Sequence, residues 1–281
     1  MATLMDGKCM AAELMDGLAA RVHALKEKHV TVGLAVILVG EDPASQVYVR
    51  NKGLACERLG IYSQTLRLPA ETSQQELEAL IDTLNEDDRV HGILEQLPLP
   101  RHLDEAHALR RIIPEKDVDG FHIENAGKLF CGQEGVIACT PKGIIHMLKK
   151  ADVPLAGKHA VVIGRSNIVG KPIAMLLLNE NCTVTICHSR TENLPEYTRH
   201  ADILVAAVGR AHFVTADMVK PGAAVVDVGI NRVDGKVVGD VDFDNVEKIA
   251  GFISPVPGGV GKMTIGMLME NTIEAAERKA L

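Results

Sequence analysis

Short aliphatic runs alternate with helical patterns along most of this chain, and this rhythm restricts its fold more than any other feature. Leu34–Val39 is a wholly apolar run closed by Gly40, which is typical of a buried strand. Helical patterns flank it at about 7–28 and 43–59. Strands separated by helices pair in parallel through βαβ crossovers. The sequence therefore predicts an α/β fold with parallel sheets.

The rhythm continues to the end of the chain. Ser73 and Glu76 form a capping-box pattern that predicts a helix to about residue 85. A length of 281 residues suits two domains, and the glycine-rich segment 116–139 has little periodicity, so we expect the boundary there. The remaining predicted elements are strands at 90–96, 160–163, 183–187, 203–208 and 223–228 and a last helix at 263–279.

Composition excludes several classes of function. The net charge is −7 and no basic tract is interleaved with aromatics, so we expect no nucleic-acid partner. No stretch approaches the roughly 18 apolar residues that span a bilayer, and the amino terminus shows no signal-like apolar run. The six cysteines form no Cys-x-x-Cys pair and the eleven histidines no His-Glu-x-x-His motif. We therefore expect a cytoplasmic protein with reduced thiols and no metal site.

A glycine-containing turn follows the first strand of the second half, in Gly164-Arg-Ser-Asn-Ile-Val-Gly170. A strand, such a turn and a helix would aim free backbone N–H groups and the helix dipole at a phosphate. Ser166 stands where the common dinucleotide pattern has its second glycine. A plain strand-to-helix turn is the alternative.

The next strand ends in His188-Ser189-Arg190, where an NAD-binding fold carries an acidic residue for the ribose hydroxyl. A serine and a guanidinium stand here instead, with Arg165 in the neighbouring turn. These cationic donors favour a 2′-phosphate, and hence NADP over NAD. The alternative is that Arg190 is simply solvated.

Tyr48 and Lys52 are four residues apart and share one helix face with apolar neighbours. Lys52 is either snorkelling to solvent or placed in a cleft. A lysine pKa near 10.4 makes a poor base at neutral pH, and lowering it by about three units takes roughly 4 kcal/mol of desolvation or hydrogen bonding. An apolar stripe with a tyrosine hydroxyl is a setting for that change, so Lys52 is a candidate base.

Three further features point to a ligand. Gln96 ends the predicted strand 90–96, and ligands gather at the carboxyl ends of parallel strands. Asp119 lies in the boundary segment and is either a turn residue or a ligand to a substrate amine. Pro255-Val-Pro-Gly-Gly-Val-Gly261 combines stiff and flexible residues, which indicates a binding loop, with a structural turn as the alternative.

Taken together, these motifs resemble the bifunctional methylenetetrahydrofolate dehydrogenase/methenyltetrahydrofolate cyclohydrolase family. They occur in the family's order and span nearly the whole chain. The motifs that carry the resemblance are Tyr48-Val-Arg-Asn-Lys52, Gln96-Leu-Pro-Leu-Pro100, Lys116-Asp-Val-Asp-Gly120-Phe-His, Cys139-Thr-Pro141, Gly164-Arg-Ser-Asn-Ile-Val-Gly170 and Pro255-Val-Pro-Gly-Gly-Val-Gly261.

The resemblance implies two domains around a cleft, a folate-binding catalytic domain at 1–119 and a Rossmann-like NADP-binding domain at 120–264. The last helix, from about 265, would pack back on the first domain. It implies a homodimer that oxidises and then hydrolyses a one-carbon unit on tetrahydrofolate, including polyglutamylated forms.

The resemblance also implies the roles of single residues. Lys52 would be the catalytic group, supported by Tyr48 and Gln96, with Asp119 holding the pterin. Folate would also contact Leu97, Pro98, Pro257, Gly258, Gly259 and Val260. NADP would contact Thr140, Gly164, Arg165, Ser166, Ser189, Arg190, Gly229 and Ile230.

Two positions depart from the family pattern. Lys262 replaces a usual proline, so we expect a less rigid end to the loop before it. Glu95 replaces a usual aliphatic residue, and strand alternation turns it away from Gln96, so we expect it to affect packing rather than chemistry. The rival hypotheses are a dehydrogenase without cyclohydrolase activity, another Rossmann oxidoreductase, and a non-catalytic nucleotide-binding or scaffold protein.

Overall fold

The computed structural model describes residues 1–280, which form two compact α/β units. We call them the three-stranded unit, made of 13–139 and the chain from 265 onward, and the six-stranded unit, made of 1–12 and 140–264. Both main sheets are parallel, which confirms the predicted fold class. Two long helices, α1 (Gly7–Glu27) and α10 (Val260–Lys279), contribute residues to both units.

The sheet of the three-stranded unit has the strand order β3-β2-β4. Its central strand β2 (Gly33–Val39) is buried at every position, as its unbroken apolar sequence predicts. The helix after it, α2 (Pro43–Leu59), has the predicted bounds. The other elements of this unit are β3 (Tyr62–Leu68), α3 (Gln74–Glu86), β4 (Gly92–Glu95), α4 (Glu105–Arg111) and α5 (Ile123–Phe130).

One face of this sheet packs against α3 and α4. Ile37 and Ile93 lie on that face and are fully buried with Leu77 and Ile81 of α3 and Ala108 of α4. We call this cluster the α3/α4 core. The capping box of α3 is present as predicted, since the Ser73 hydroxyl accepts from the Glu76 N–H and the Glu76 carboxylate accepts from Ser73.

The six-stranded unit has the strand order β1-β11-β8-β7-β5-β6, with all neighbours parallel. Four of its strands were predicted, and the short outer pair β1 and β11 was not. A small antiparallel hairpin, β9 with β10, lies beside the main sheet. The strands are β1 (Thr3–Leu4), β5 (His159–Ile163), β6 (Thr183–Cys187), β7 (Ile203–Ala206), β8 (Ala224–Asp227), β9 (Asn231–Val233), β10 (Lys236–Val238) and β11 (Phe252–Ile253).

The helices of this unit connect its strands. Because all six main strands run in one direction, the turns that follow β5, β6, β7 and β8 lie along one edge of the sheet. This edge therefore collects the predicted cofactor residues other than Thr140. The helical elements are α6 (Cys139–Lys150), α7 (Gly170–Asn179), α8 (Leu194–Thr198), a 3₁₀ turn (Ala216–Met218) and α9 (Phe243–Val246).

Candidate active site

Helix α2 carries Lys52 in its buried stripe. The helix begins where the Asp42 carboxylate accepts from the Ser45 N–H at 2.7 Å, and it ends at Gly60, which takes a left-handed conformation. The residues turned inward are Ser45, Val49, Lys52, Cys56 and Leu59. Only 9% of Lys52 is exposed, so it does not snorkel to solvent.

The Lys52 amine meets Gln96, which directly follows β4. Lys52 Nζ donates a hydrogen bond to Gln96 Oε1 at 3.0 Å. The Gln96 amide is itself fixed, because its Nε2 donates to the carbonyl oxygen of Leu97 at 2.7 Å. Its backbone N–H donates to the carbonyl of Ile37 on β2 at 2.9 Å. The sheet thus presents the amide oxygen to the lysine in one orientation.

Tyr48 lies one helical turn before Lys52, at the margin of the buried stripe. It is 42% exposed, and no hydrogen bond joins its hydroxyl to Lys52 among the described residues. The partner of the amine is therefore Gln96. Tyr48 instead presents its ring and hydroxyl to whatever binds beside the lysine.

Asp119 stands on a loop that a neighbouring carboxylate holds in shape. Asp117 is buried and accepts from the N–H groups of Gly120, Phe121 and His122 at 2.8–3.2 Å. Asn271 of α10 donates to the carbonyl of Val118 at 2.9 Å. These bonds fix the backbone on both sides of Asp119.

The electrostatics of Asp119 tie it to Lys52. Burial raises the pKa of the Asp119 carboxyl, and the positive charge of Lys52 opposes this rise. The negative charge of Asp117 raises the pKa further, and a hydrogen bond from the Cys139 thiol lowers it. Lys52, Gln96 and Asp119 thus form one cluster in the three-stranded unit, as the sequence predicts.

The proline- and glycine-rich loop lies in the six-stranded unit. Gly258 has a positive φ of 112°, and a side chain at Gly259 would overlap the carbonyl of Pro255. The Gly258 carbonyl accepts from the N–H of Lys8 at 3.0 Å. Val260, the last predicted folate residue of this loop, begins α10 and is buried.

The expectation of a less rigid loop end at Lys262 is wrong. Lys262 lies in the first turn of α10, and its N–H donates to the carbonyl of Gly259 at 3.0 Å. The helix therefore fixes the end of the loop without a proline.

The turn after β5 is built on two close backbone approaches. Gly164 has φ of 132°, and a side chain there would overlap the carbonyl of Ala207. A side chain on Gly170 would overlap the carbonyl of Gly164. Both positions therefore require glycine, which lets α7 begin directly against the turn.

The N–H groups available to a phosphate differ from the predicted ones. The Ser166 hydroxyl accepts from the N–H of Gly170 at 3.2 Å, and the Ser166 carbonyl accepts from Lys171 at 3.0 Å. Pro172 has no N–H, so the first turn of α7 is already satisfied within the chain. The N–H groups of 165–168, just before the helix, have no partner among the described residues. The turn itself, rather than the helix end, offers donors.

Arg165, Ser189 and Arg190 lie together at this edge. The turns that carry them are adjacent because β5 pairs with β6, and the Gly164 N–H donates to the carbonyl of Cys187 at 2.9 Å. All three side chains are exposed, and neither arginine has an ion-pair partner within residues 1–280. Two unpaired guanidinium groups and a hydroxyl are suited to an anionic group.

Comparisons with known proteins identify the family of this chain. Residues 5–119 match the model for the tetrahydrofolate dehydrogenase/cyclohydrolase catalytic domain, and residues 138–280 match the model for the NAD(P)-binding domain of the same family. The chain belongs to this family. The family models leave 120–137 unmatched, and the domain boundary predicted after Asp119 stays a prediction.

Relatives of this family are similar over their whole length. The bifunctional protein FolD of Halalkalibacterium halodurans is 58% identical over 276 residues, which cover 98% of this chain and 99% of that protein. The crystal structure of FolD from Campylobacter jejuni has a TM-score of 0.98 at 52% identity and covers 99% of this chain and 100% of that one. FolD of Trypanosoma brucei, solved with NADP and an inhibitor, has a TM-score of 0.94 at 38% identity and covers 99% of this chain and 98% of that one.

Two buried carboxylates that the sequence analysis missed organise the family's NAD(P)-binding domain. Asp240 is fully buried and accepts from the successive N–H groups of Val208, Gly209 and Arg210 at 2.7–3.0 Å. Asp227 accepts from the N–H groups of Gly229 and Asp240 at 3.0 and 2.8 Å. Burial raises the pKa of Asp227 to about 6. No local pattern marks either residue, because most of their backbone partners lie 13 to 32 residues away in sequence.

These carboxylates position two of the predicted cofactor residues. A side chain at Gly229 would overlap the Asp240 carboxylate, so only glycine fits there. Ile230 follows with 56% exposure and thus presents an apolar side chain at this edge. The remaining predicted cofactor residue, Thr140, has its hydroxyl 3.0 Å from that of Thr264.

A separate cavity of about 630 Å³ lies at the opposite edge of the three-stranded sheet. Its lining includes Tyr62, His91 and Lys279, near the strand starts rather than near Gln96. Lys279 pairs with Asp88 at 2.6 Å. This cavity is therefore separate from the Lys52–Gln96 pair.

The described residues also show two absences. No helix within 1–280 combines the length and apolar character needed to cross a membrane. Over the same range, no group of three or more His, Cys, Asp or Glu side chains is arranged to hold a metal ion.

Proposed function

We propose that this chain oxidises 5,10-methylenetetrahydrofolate to the 5,10-methenyl form with NADP and hydrolyses that product to 10-formyltetrahydrofolate. Its membership of a family that joins a catalytic and an NAD(P)-binding domain supports both activities. The observation that carries the proposal is the hydrogen bond from the buried Lys52 amine to Gln96, beside Asp119. In a Rossmann oxidoreductase of another kind, the cluster of Lys52, Gln96 and Asp119 would have no catalytic role.

The residues at the edge of the six-stranded sheet fit NADP. Gly164 and Gly170 keep side chains away from the turn, and the free N–H groups of 165–168 suit a phosphate. Arg165, Ser189 and Arg190 would hold the 2′-phosphate, while Gly229, Ile230 and Thr140 would line the rest of the site. When bound, the cofactor accepts the hydride from the methylene carbon.

We assign folate positioning first to the residues around Lys52. Asp119 would bind the amine side of the pterin, since a carboxylate accepts hydrogen bonds from such N–H groups. Tyr48 would cover the bound ring with its exposed aromatic face. Further contacts would come from Leu97, Pro98 and the loop Pro257, Gly258, Gly259 and Val260.

Hydride transfer from the methylene carbon requires few catalytic groups from the protein. The lone pairs of the two folate nitrogens stabilise the cation that forms at the one-carbon unit, so alignment is the main requirement. Asp119 and Tyr48 would provide it by holding the folate ring.

Hydrolysis needs a proton acceptor. Water adds to the methenyl carbon and forms a new C–O bond, and the free amine of Lys52 takes up the proton that the water loses. The hydroxyl group on that carbon then gives up its remaining proton and becomes the formyl C=O as the bond from the carbon to N5 breaks. N5 takes up a proton in the same step, and the formyl group stays on N10. Gln96 Oε1 accepts one N–H of the amine and so turns its lone pair toward a defined direction.

A coupled assay of the purified protein tests the proposal. With methylenetetrahydrofolate and NADP, we expect NADPH to appear and the methenyl product to decay faster than in enzyme-free buffer. NADPH formation with methenyl accumulating at the buffer rate would favour the dehydrogenase-only alternative. No NADPH formation would exclude the oxidoreductase function altogether.

The assembly and location of the protein are also proposals. The family resemblance supports a homodimer, which light scattering behind size exclusion would detect at twice the 30.2 kDa chain mass. All six cysteines are free thiols, which supports a reducing, cytoplasmic setting. Cell fractionation would test this location.

A further inference from the structure

Glu95 is buried without a partner, one residue before Gln96. It is 2% exposed, and neither carboxylate oxygen forms a hydrogen bond within the described chain. A buried, unpaired carboxylate is costly, because the charge loses its water and gains nothing in return. A carboxyl group in this position is tolerated as the neutral acid.

The side chain lies in the α3/α4 core. Glu95 is the register partner of Ile37 and follows Ile93 by two residues, and both of these isoleucines belong to that core. Gln96 lies on the opposite face, where it meets Lys52. The end of β4 therefore has a carboxyl group on one side and the Lys52–Gln96 pair on the other.

No cation on the neighbouring elements compensates Glu95. Strand β2 carries no charged residue, and Arg67 of β3 pairs with Leu38, so it faces away from this core. On α3, the Glu76 carboxylate is bound to Ser73. Glu78 is bound to Gln74 and His107, and Asp82 is bound to Arg111. In the loop before α4, Arg101 is exposed, His102 faces the carbonyl of Thr72, and Asp104 caps α4.

The one charge that acts on Glu95 from these elements is that of Glu105. Burial is the larger cause and the like charge of Glu105 at the start of α4 the smaller, and together they raise the pKa of Glu95 to about 8. The group thus changes its charge in the mildly alkaline range, where solvation of the anion requires water to enter an apolar core.

We propose that Glu95 is a positioning residue that keeps Gln96 in place only while its carboxyl group is protonated. The inference rests on the proposed role of Lys52 and Gln96 in hydrolysis. Ionised Glu95 must reach solvent, which displaces the end of β4 and with it the amide that orients the lysine. The hydrolytic rate then falls reversibly in alkaline solution.

The test is the pH profile of methenyl hydrolysis, with the enzyme-free rate subtracted at each pH. In the parent, the rate falls about tenfold between pH 7 and pH 9, since the protonated fraction falls by that factor around an inflection near 8. Glu95→Gln and Glu95→Leu both abolish this inflection and keep the parent's rate at pH 7. Glu95→Asp retains an ionisable group and an alkaline inflection.

Glu105→Gln is the matched control on the exposed surface. It removes the like charge that raises the pKa of Glu95, so in the parent background the inflection moves to lower pH. In the Glu95→Gln background, Glu105→Gln has no effect on the pH profile. An unchanged inflection in both Glu95→Gln and Glu95→Leu overturns the inference. Absence of hydrolysis in the parent at pH 7 overturns the proposed function instead, so the two failures are distinguishable.

Discussion

At the scale of single residues, chemistry and burial are linked most closely at Lys52. Its spacing from Tyr48 predicts a shared helix face, and its place in an apolar stripe predicts either snorkelling or burial. The structure shows burial and a 3.0 Å bond to Gln96. Spacing alone does not predict the bonded partner, because residues 44 apart meet only through the order of strands in the sheet. Gln96 was expected beside Lys52 from the family resemblance.

Cofactor preference is a residue-scale property. We expect Arg190→Ala to lower the ratio of kcat/KM for NADP to that for NAD by about tenfold or more, since a charge-assisted bond to phosphate is lost. Arg199→Ala is the control, because Arg199 is bound to Asp217 on the surface. Steady-state kinetics with both cofactors provide the measurement. If the ratio does not change, Arg165 and Ser189 are sufficient or Arg190 lies outside the site.

Glu95 should also leave a signature in stability. Its pKa is about 8 in the folded protein against an ordinary 4.5, so the folded state binds the extra proton between these values. The stability that this proton provides is complete below pH 4.5 and is lost as pH rises toward 8. The free energy of unfolding of Glu95→Gln should therefore rise relative to that of the parent across that pH window, by at most about 5 kcal/mol. Urea unfolding at several pH values measures the gap, and a gap independent of pH would contradict the assignment.

At the scale of elements, local sequence signals predicted the helix boundaries that neighbouring residues determine. The bounds of α2 and the capping box of α3 follow from Asp42, Pro43, Ser73 and Glu76, which act on neighbouring backbone groups. Strand β3 was missed, although its residues alternate between more and less exposed positions. Strands β1 and β11 were missed because two-residue strands exist only through tertiary pairing.

The loops of the NAD(P)-binding domain also depend on tertiary contacts that the local sequence does not reveal. Their shape depends on Asp240, which binds three successive N–H groups of a loop about 30 residues away in sequence. Such a partnership leaves no local pattern. Gly229 is one visible trace of it, since a side chain there would overlap the Asp240 carboxylate.

Asp240→Asn tests this role. One amide cannot accept from all the donors that the carboxylate serves, so we expect a loss of about 2 kcal/mol or more in stability. We also expect a higher KM for NADP with little change in KM for folate. Asp244→Asn, an exposed change in the same segment, serves as the control. An equal rise of both KM values would mean that the network supports the fold alone.

At the scale of the whole molecule, one chain carries both domains that the family joins. The catalytic match ends at residue 119 and the NAD(P)-binding match begins at 138. The product of the oxidation is the substrate of the hydrolysis, so both steps require the same folate contacts. Under the proposed assignment the two steps differ in what else they need, since oxidation would use the cofactor edge and hydrolysis the Lys52 amine.

This difference makes the two activities separable by one substitution. We expect Lys52→Met to lower the rate of methenyl hydrolysis at least a hundredfold, because the general base is lost, and to spare most of the hydride transfer. Lys28→Met, at an exposed position of the same unit, should alter neither rate.

The direct measurement is methenyl decay and NADPH formation followed together by absorbance in Lys52→Met, with folate affinity determined separately. NADPH formation that persists while the methenyl product accumulates is the predicted result. Equal loss of both rates, with folate still bound as tightly as by the parent, would contradict the assignment of Lys52 as the hydrolytic base.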